Sequence, residues 1–158
     1  MNDPLLRGNA TVATVAEGLG FLIPSGELPP DAAIDCHRTV KVDWHGPDGT
    51  SGGVFVCIDR GLGEALAANL LGRMPGEAVG DDEVDGAACE LANVIAGNLL
   101  PFLYGTDHEF HLHSPYLLPP LDPGGRREAA VRFMEGCLVV AVETVPDNSR
   151  ILRRAVAP

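Results

Sequence analysis

The alternation of apolar and polar positions along the chain predicts an ordered series of helices and strands. Residues Ala10–Leu19 place apolar side chains at helical spacing, and Ile34–Trp44 alternates like a strand with one buried face. The proline-rich stretch Pro24–Pro30 between them is expected to be a loop. Turn-forming residues over His45–Gly53 then lead into the apolar run Val54–Ile58, which predicts a β-hairpin.

Two helices are expected after this hairpin. The first covers about Leu62–Leu71, and the second covers about Asp81–Leu100 and opens with three acidic residues. Acidic side chains suit the positive end of the helix macrodipole, and Asp82 with Asp85 has the spacing of a capping pair. We expect Pro101 to end or kink this helix, because proline lacks the backbone N–H that a helix interior needs.

The C-terminal part of the chain is expected to form strands. Asp107–His113 alternates like a strand, and Ala129–Met134 is predicted to form a hairpin with Cys137–Thr144. Because the order of elements lacks regular strand–helix alternation, a doubly wound parallel sheet is not expected. We predict an α+β fold in which helices cover a mainly antiparallel sheet. Residues 1–158 should form one domain, with its core over about 10–145 and flexible termini.

Composition narrows the classes of partner and compartment. The 158 residues include 11 Lys and Arg against 22 Asp and Glu, so the net charge is −11. Nucleic acid is therefore not expected as a partner, since its phosphates are bound mainly by clustered basic residues. We find no signal-peptide pattern and no apolar stretch of about 20 residues, and we expect a cytoplasmic protein that does not contact membranes. The four cysteines lack zinc-site spacing and are expected to be reduced thiols: Cys36, Cys57, Cys89 and Cys137.

The predicted helix after Asp81 carries the candidate chemistry. At about 100° per residue, Asn93 and Gly97 lie within about 60° of Glu90, opposite the apolar face. The residues expected on that apolar face are Val84, Ala88, Leu91, Ile95 and Phe102. A glycine inside a helix costs roughly 1 kcal/mol relative to alanine, so Gly86 and Gly97 need a reason such as close approach by another molecule. From periodicity alone, a solvated polar face with Gly97 used for internal packing is the commoner explanation.

The segment Glu90–Asn98 (ELANVIAGN) resembles the E-x-x-N signature of the CheC/CheX/FliY phosphatases, which dephosphorylate chemotaxis response regulators such as CheY. In that family a proline follows the asparagine at a characteristic spacing, which the 21 residues between Asn93 and Pro115 match. The predicted hairpin, the leucine-rich helix and the trailing strands are also similar to a CheX domain. One E-x-x-N motif is present, as in the single-site CheX type. The resemblance implies a CheX-like single domain.

The resemblance also implies a function, namely faster hydrolysis of the aspartyl phosphate of a CheY-like response regulator. Asn93 would position the attacking water, because an amide both donates and accepts hydrogen bonds. Glu90 would pair with the active-site lysine of the regulator. Gly97 would let the partner approach closely, and Pro115 would rigidify a loop near the same surface. Since the phosphorylated partner supplies Mg²⁺, the chain would need no metal or other cofactor of its own.

Gly86 departs from the family pattern, which commonly has Asp or Ser four residues before the glutamate. Asp85 lies one residue away, turned by about 100° around the helix. A non-catalytic module that binds a response regulator or another partner therefore stays open. A His/carboxylate metal site on the Asp107–His113 strand is a second alternative. An exposed polar strand face is the preferred explanation of that pattern, because two-residue spacing alone does not fix a coordination geometry. A homodimer formed by edge pairing of the final strands also stays open.

Overall fold

The computed structural model describes residues 4–122 and 126–145, in which three helices pack on one face of a seven-stranded sheet. In chain order the elements are α1 (Pro4–Gly20), β1 (Pro24–Glu27), β2 (Arg38–His45), β3 (Ser51–Ile58), α2 (Arg60–Leu70), α3 (Asp81–Tyr104), β4 (His111–Leu112), β5 (Tyr116–Leu118), β6 (Arg127–Phe133) and β7 (Cys137–Val145). The predicted α+β class is confirmed. The termini expected to be flexible are those outside about 10–145; residues 4–9 instead belong to α1, and residues 1–3 and 146–158 lie outside the described residues.

The sheet is antiparallel throughout the described chain, with the strand order β1-β6-β7-β3-β2 and with β4 and β5 both pairing with β2 at one edge. The predicted hairpins β2–β3 and β6–β7 are both present. Val42 lies opposite Val54, and Val56 lies opposite Val140, so a single register places the branched side chains on one face. That face packs against the helices because every second residue of each strand points to it.

The hydrophobic core lies between this sheet face and the three helices. Its fully buried large side chains include, from the strands and helices, Trp44, Ile58, Leu62, Leu66, Leu91, Ile95, Leu99 and Leu138. As predicted, Val40, Val42 and Trp44 share the buried face of β2. The indole of Trp44 packs beside Tyr104 and Phe110, with ring centroids 5.6 and 5.7 Å away. A small second cluster of Leu28, Ala130 and Val139 closes part of the opposite face.

Strand β1 was not predicted, because the sequence pattern indicated a loop over Pro24–Pro30. In the structure Pro24–Glu27 pairs with the end of β6 at the sheet edge, with a register irregularity between Pro24 and Gly26. An edge strand tolerates proline, since one row of its backbone groups needs no partner strand. Gly26 has a φ of +153°. The sequence alone does not reveal β1, because its pairing partner lies more than 100 residues away.

Helix α3 differs from the prediction at both ends. It continues through Pro101 to Tyr104 instead of ending near Leu100. At its start the N-cap is Gly80, whose N–H donates to Glu83 Oε1 at 3.1 Å, so Asp82 and Asp85 do not form the predicted capping pair. Helix α1 similarly begins at Pro4, six residues before the predicted start.

The expected strand over Asp107–His113 is mostly absent. Only His111–Leu112 forms β4, opposite Trp44 and His45, and the structure adds β5, which the sequence pattern did not reveal. The exposed residues 107–109 precede β4 in a turn. Strand β2 likewise begins at Arg38, not at Ile34. Short pairings of this kind depend on the adjacent β2 strand more than on their own sequence pattern.

Two of the cysteines contradict the prediction of reduced thiols. Cys36, which precedes β2, forms a disulfide with Cys57 on β3, and their Cα atoms lie 5.9 Å apart. Antiparallel pairing brings these residues together, since Thr39 lies opposite Cys57. Cys89 and Cys137 are free thiols. Because the cytoplasmic assignment drew partly on reduced cysteines, that localisation stays a prediction.

Helix α3 bears on the prediction that no segment approaches the roughly 20 apolar residues of a membrane span. By length and composition alone, Asp81–Tyr104 is long and apolar enough to span one. Core helices of soluble proteins pass the same test, and nine side chains of α3 are buried against the sheet and the other helices. We therefore interpret α3 as the central core helix of this domain.

Candidate functional site

The candidate site is the face of α3 that points away from the core. Glu90 and Gly97 are exposed on it and Asn93 is partly buried, while Leu91 and Ile95 face the sheet. This arrangement agrees with the predicted division of the helix into two faces. Phe102 departs from the prediction, because 36% of its surface is exposed at the border between the faces.

The polar groups of Glu90 and Asn93 have no partner among the described residues. Neither side chain forms a hydrogen bond or ion pair with another residue in the described part of the chain. Asn98, on the same helix, differs because its amide donates to the carbonyl oxygen of Val94 at 2.8 Å. The carboxylate of Glu90 and the amide of Asn93 are therefore available to another molecule.

Gly86, Glu90, Asn93 and Gly97 form what we call the exposed stripe of α3. Packing within the described residues does not require glycine at either Gly86 or Gly97. A β-carbon on Gly86 would meet no atom within 4 Å. A β-carbon on Gly97 would lie 3.8 Å from Leu112 Cδ1, an ordinary van der Waals contact. Internal packing, the simpler explanation for Gly97, thus has little support. Both glycines leave the surface of α3 accessible to close approach from outside.

Pro115 lies in the connection between β4 and β5, the two short strands at the edge next to α3. Helix α3 contacts both strands, and the side chain of Leu112 in β4 reaches the neighbourhood of Gly97. The fold therefore brings the predicted proline loop to the side of the sheet that α3 borders. Its role in limiting the motion of this loop stays a prediction.

Acidic residues near the start of α3 are tied to β2 by Arg38. Its Nε donates to Asp85 Oδ1 at 2.5 Å and its Nη2 lies 3.3 Å from Asp81 Oδ1. Burial and the neighbouring Arg38 charge lower the pKa of His37. The sequence pattern did not single out Arg38, because 47 residues separate it from Asp85. These ion pairs fix the helix on the sheet, and they do not involve Glu90 or Asn93.

Cys89, beside Glu90, has the character of a packing residue. Burial is the largest cause that raises the pKa of its thiol, and the charge of Asp85 raises it further. A raised pKa keeps the sulfur protonated and poorly nucleophilic at neutral pH. The structure thus assigns Cys89 no evident part in the chemistry of the exposed stripe.

The described residues contain no cluster of ligand side chains that would support the metal-binding alternative. Within residues 4–122 and 126–145, no three His, Cys, Asp or Glu side chains converge in a way that could hold a metal ion. His113 instead lies edge-to-face with His45, with their ring centroids 4.8 Å apart. Asp107 and Glu109 are exposed in the turn before β4.

The family model described as chemotaxis phosphatase CheX matches residues 39–121, just over half of the chain. The chain belongs to the CheX family. The matched range contains the whole of α3 and all five candidate residues: Gly86, Glu90, Asn93, Gly97 and Pro115. No curated protein sequence matches the chain significantly.

Solved CheX structures share the fold. The chemotaxis protein CheX of Vibrio vulnificus superimposes with a TM-score of 0.66 at 18% identity, covering 91% of this chain and 97% of the other. CheX of Desulfovibrio desulfuricans gives 0.63 at 14% identity, with coverages of 90% and 97%. CheX of Borrelia burgdorferi, solved in a CheX–CheY–BeF₃–Mg²⁺ complex, gives 0.62 at 18% identity, with coverages of 90% and 96%. At these identities the likeness establishes the fold of this CheX-family chain.

Proposed function

We propose that this CheX-family protein is a phosphatase that accelerates hydrolysis of the aspartyl phosphate of a CheY-like response regulator. The observation that carries the proposal is the exposed stripe of α3. On it, Glu90 and Asn93 lie one turn apart with no partner among the described residues, between two glycines that leave space around them.

In this proposal Asn93 positions the attacking water. The acyl phosphate of a regulator is an activated group, so the main requirement is a water molecule held in line with the bond that breaks. An amide can accept a hydrogen bond from that water and donate another to the phosphoryl group without changing its own charge. The partly buried Asn93 uses this capacity with no other residue of the described part of the chain.

Glu90 supplies the docking charge. Its exposed carboxylate would pair with the active-site lysine of the regulator and set the register in which Asn93 enters the phosphorylated pocket. Mg²⁺ belongs to the regulator in this scheme, and no metal ligand of the present chain takes part. The Borrelia burgdorferi structure contains CheX together with CheY, BeF₃ and Mg²⁺, which supports a CheY-like regulator as the partner class.

A non-catalytic CheX-like binding module is the second candidate, and one observation favours it. Gly86 occupies the position where the family commonly has Asp or Ser, and the neighbouring Asp85 is held by Arg38, so it cannot replace that side chain. The exposed stripe would then bind the regulator without accelerating hydrolysis.

The experiment that separates the two candidates measures binding and hydrolysis on the same proteins. The decay of each phosphorylated CheY-like regulator of the source organism is followed with wild type, Glu90→Ala, Asn93→Ala and the control Asn98→Ala. Binding is measured separately with the regulator activated by beryllofluoride. The proposal predicts faster decay with wild type and Asn98→Ala only, weaker binding by Glu90→Ala, and near-normal binding by Asn93→Ala. Binding by wild type with unchanged decay would establish the binding module instead.

A further inference from the structure

A shallow groove of about 280 Å³ runs beside the proposed site, between the end of α2 and the first turns of α3. We call it the α2–α3 groove. Its lining residues are Ala67, Leu70, Leu71, Asp82, Glu83, Gly86 and Ala87. Leu70 and Leu71 remain 37% and 50% exposed, although both are large apolar side chains. Exposed apolar side chains grouped around a concavity are typical of an interaction surface.

Gly86 keeps this groove open. It lies at an exposed position of α3 where a β-carbon would meet no atom within 4 Å, so the domain itself does not require glycine there. Any longer side chain would occupy the space next to Leu71. The helix carries the cost of a glycine, roughly 1 kcal/mol relative to alanine, and close approach by a partner provides a reason for it.

The groove is continuous with the proposed catalytic stripe. Gly86 precedes Glu90 by four residues, one helical turn or about 6 Å along the axis. The groove therefore lies within one helical turn of the contact that a regulator would make with Glu90 and Asn93. The size of a standard protein interface, about 800 Å² on each partner, also exceeds what two polar side chains can provide.

The charges around the groove indicate the chemistry of the occupant. Glu83 is already neutralised, since Oε2 accepts from Arg73 Nη2 at 2.6 Å and Oε1 accepts from the N–H of Gly80. Asp82 is exposed and has no ion pair or side-chain hydrogen bond with another residue in the described ranges. An approaching surface therefore meets apolar side chains beside one unpaired carboxylate.

We propose that the α2–α3 groove receives an apolar side chain of the response regulator, with a basic residue of the regulator facing Asp82. This inference rests on the proposed function and extends its docking surface by one to two turns of α3. Gly86 then acts as a determinant of which regulators bind. Glycine at this position leaves more space for an apolar side chain of the regulator than an Asp or Ser side chain would.

The test fills the groove without disturbing the fold. Gly86→Met should fold normally, because the position is open, and should weaken binding of the beryllofluoride-activated regulator about tenfold or more. Gly18→Met is the matched control, since Gly18 is an exposed helical glycine of α1 whose β-carbon would also meet nothing within 4 Å. Leu71→Asp should weaken binding similarly, whereas Met134→Asp, at a residue 71% exposed on the β6–β7 turn, should not.

The outcomes separate this inference from the proposed function. If wild type binds and accelerates decay while Gly86→Met and Leu71→Asp bind as tightly as their controls, the groove is not part of the interface and the inference is wrong. If both groove variants bind weakly and a higher regulator concentration restores the accelerated decay, the inference stands, since these variants then lose binding and keep the chemical step. Asn93→Ala, which should lose the chemical step, should not recover at high regulator concentration. If wild type binds no regulator, the proposed function fails and this inference fails with it.

Discussion

Arg38 donates a 2.5 Å hydrogen bond from Nε to Asp85 Oδ1, which directs the carboxylate next to Gly86 toward the sheet. The exposed stripe of α3 therefore carries no acidic side chain between Glu83 and Glu90. Arg38 is mostly buried, with 17% of its side chain exposed, so this ion pair is better shielded from water than the pairs on the surface. This ion pair fixes the first turns of α3 on β2. Gly86, next to Asp85, leaves open space on the exposed face between Glu83 and Glu90.

The Arg38–Asp85 pair should contribute measurably to stability. We expect Arg38→Gln to lower the free energy of unfolding by about 1–2 kcal/mol, since it removes a charge-assisted hydrogen bond and leaves a half-buried carboxylate without its partner. Arg60→Gln is the control, because it breaks an exposed pair with Glu64 on α2 worth roughly 0.5 kcal/mol or less. Urea unfolding of both variants provides the comparison. Equal losses of unfolding free energy in the two variants would show that the Arg38–Asp85 pair stabilises the fold no more than the exposed pair does.

Two helical glycines should respond to alanine in opposite directions. Gly86→Ala should raise the free energy of unfolding by about 0.5–1 kcal/mol, because alanine favours the helix and the space is open. Gly8→Ala should lower it by about 1–3 kcal/mol, since its β-carbon would overlap the backbone carbonyl of Glu128. Thermal unfolding midpoints measure both effects. A stabilised Gly8→Ala protein would show that α1 does not pack this closely on β6.

Buried Glu128 should make stability depend on pH. Burial is the main cause that raises the pKa of this carboxyl above its reference value of 4.5, and Arg126 only partly opposes the shift. A carboxyl whose pKa is higher in the folded state binds its proton more tightly there. Its contribution therefore favours folding below pH 4.5 and is lost as the pH rises through the folded pKa.

Glu128→Gln tests this pH dependence. The variant should gain stability relative to wild type as the pH increases from about 4 to 7, since glutamine avoids the ionised, buried carboxylate. Glu17→Gln, at an exposed site on α1, corrects for the loss of one negative charge. Unfolding by urea at a series of pH values gives the comparison. A stability difference that is constant across this range would contradict the assigned cause.

The sequence predicts those parts of the fold that depend on local pattern. The β2–β3 hairpin follows from alternation on both sides of a glycine-rich turn, and the two faces of α3 follow from helical periodicity. Glu90 and Asn93 could be placed together for the same reason, since residues three apart share a helix face.

The features that the sequence pattern does not predict depend on contacts between distant segments. Strand β1 forms because β6 offers an edge to Pro24–Glu27, and the Cys36–Cys57 disulfide forms because strand pairing brings the two residues together. Leu71 and Gly86 lie 15 residues apart in sequence, and only the packing of α2 on α3 makes them one groove. Periodicity describes one element at a time, so it cannot show such relationships.

The central claim is that the amide of Asn93 performs the chemical step. Its most direct test is the decay rate of a phosphorylated CheY-like regulator at saturating concentrations of Asn93→Ala and of the control Asn98→Ala. The wild-type amide of Asn98 donates to the carbonyl oxygen of Val94 in its own helix. We predict that Asn93→Ala loses about 100-fold of the acceleration while Asn98→Ala keeps it. Equal acceleration by the two variants would contradict the assignment of Asn93 as the residue that positions water.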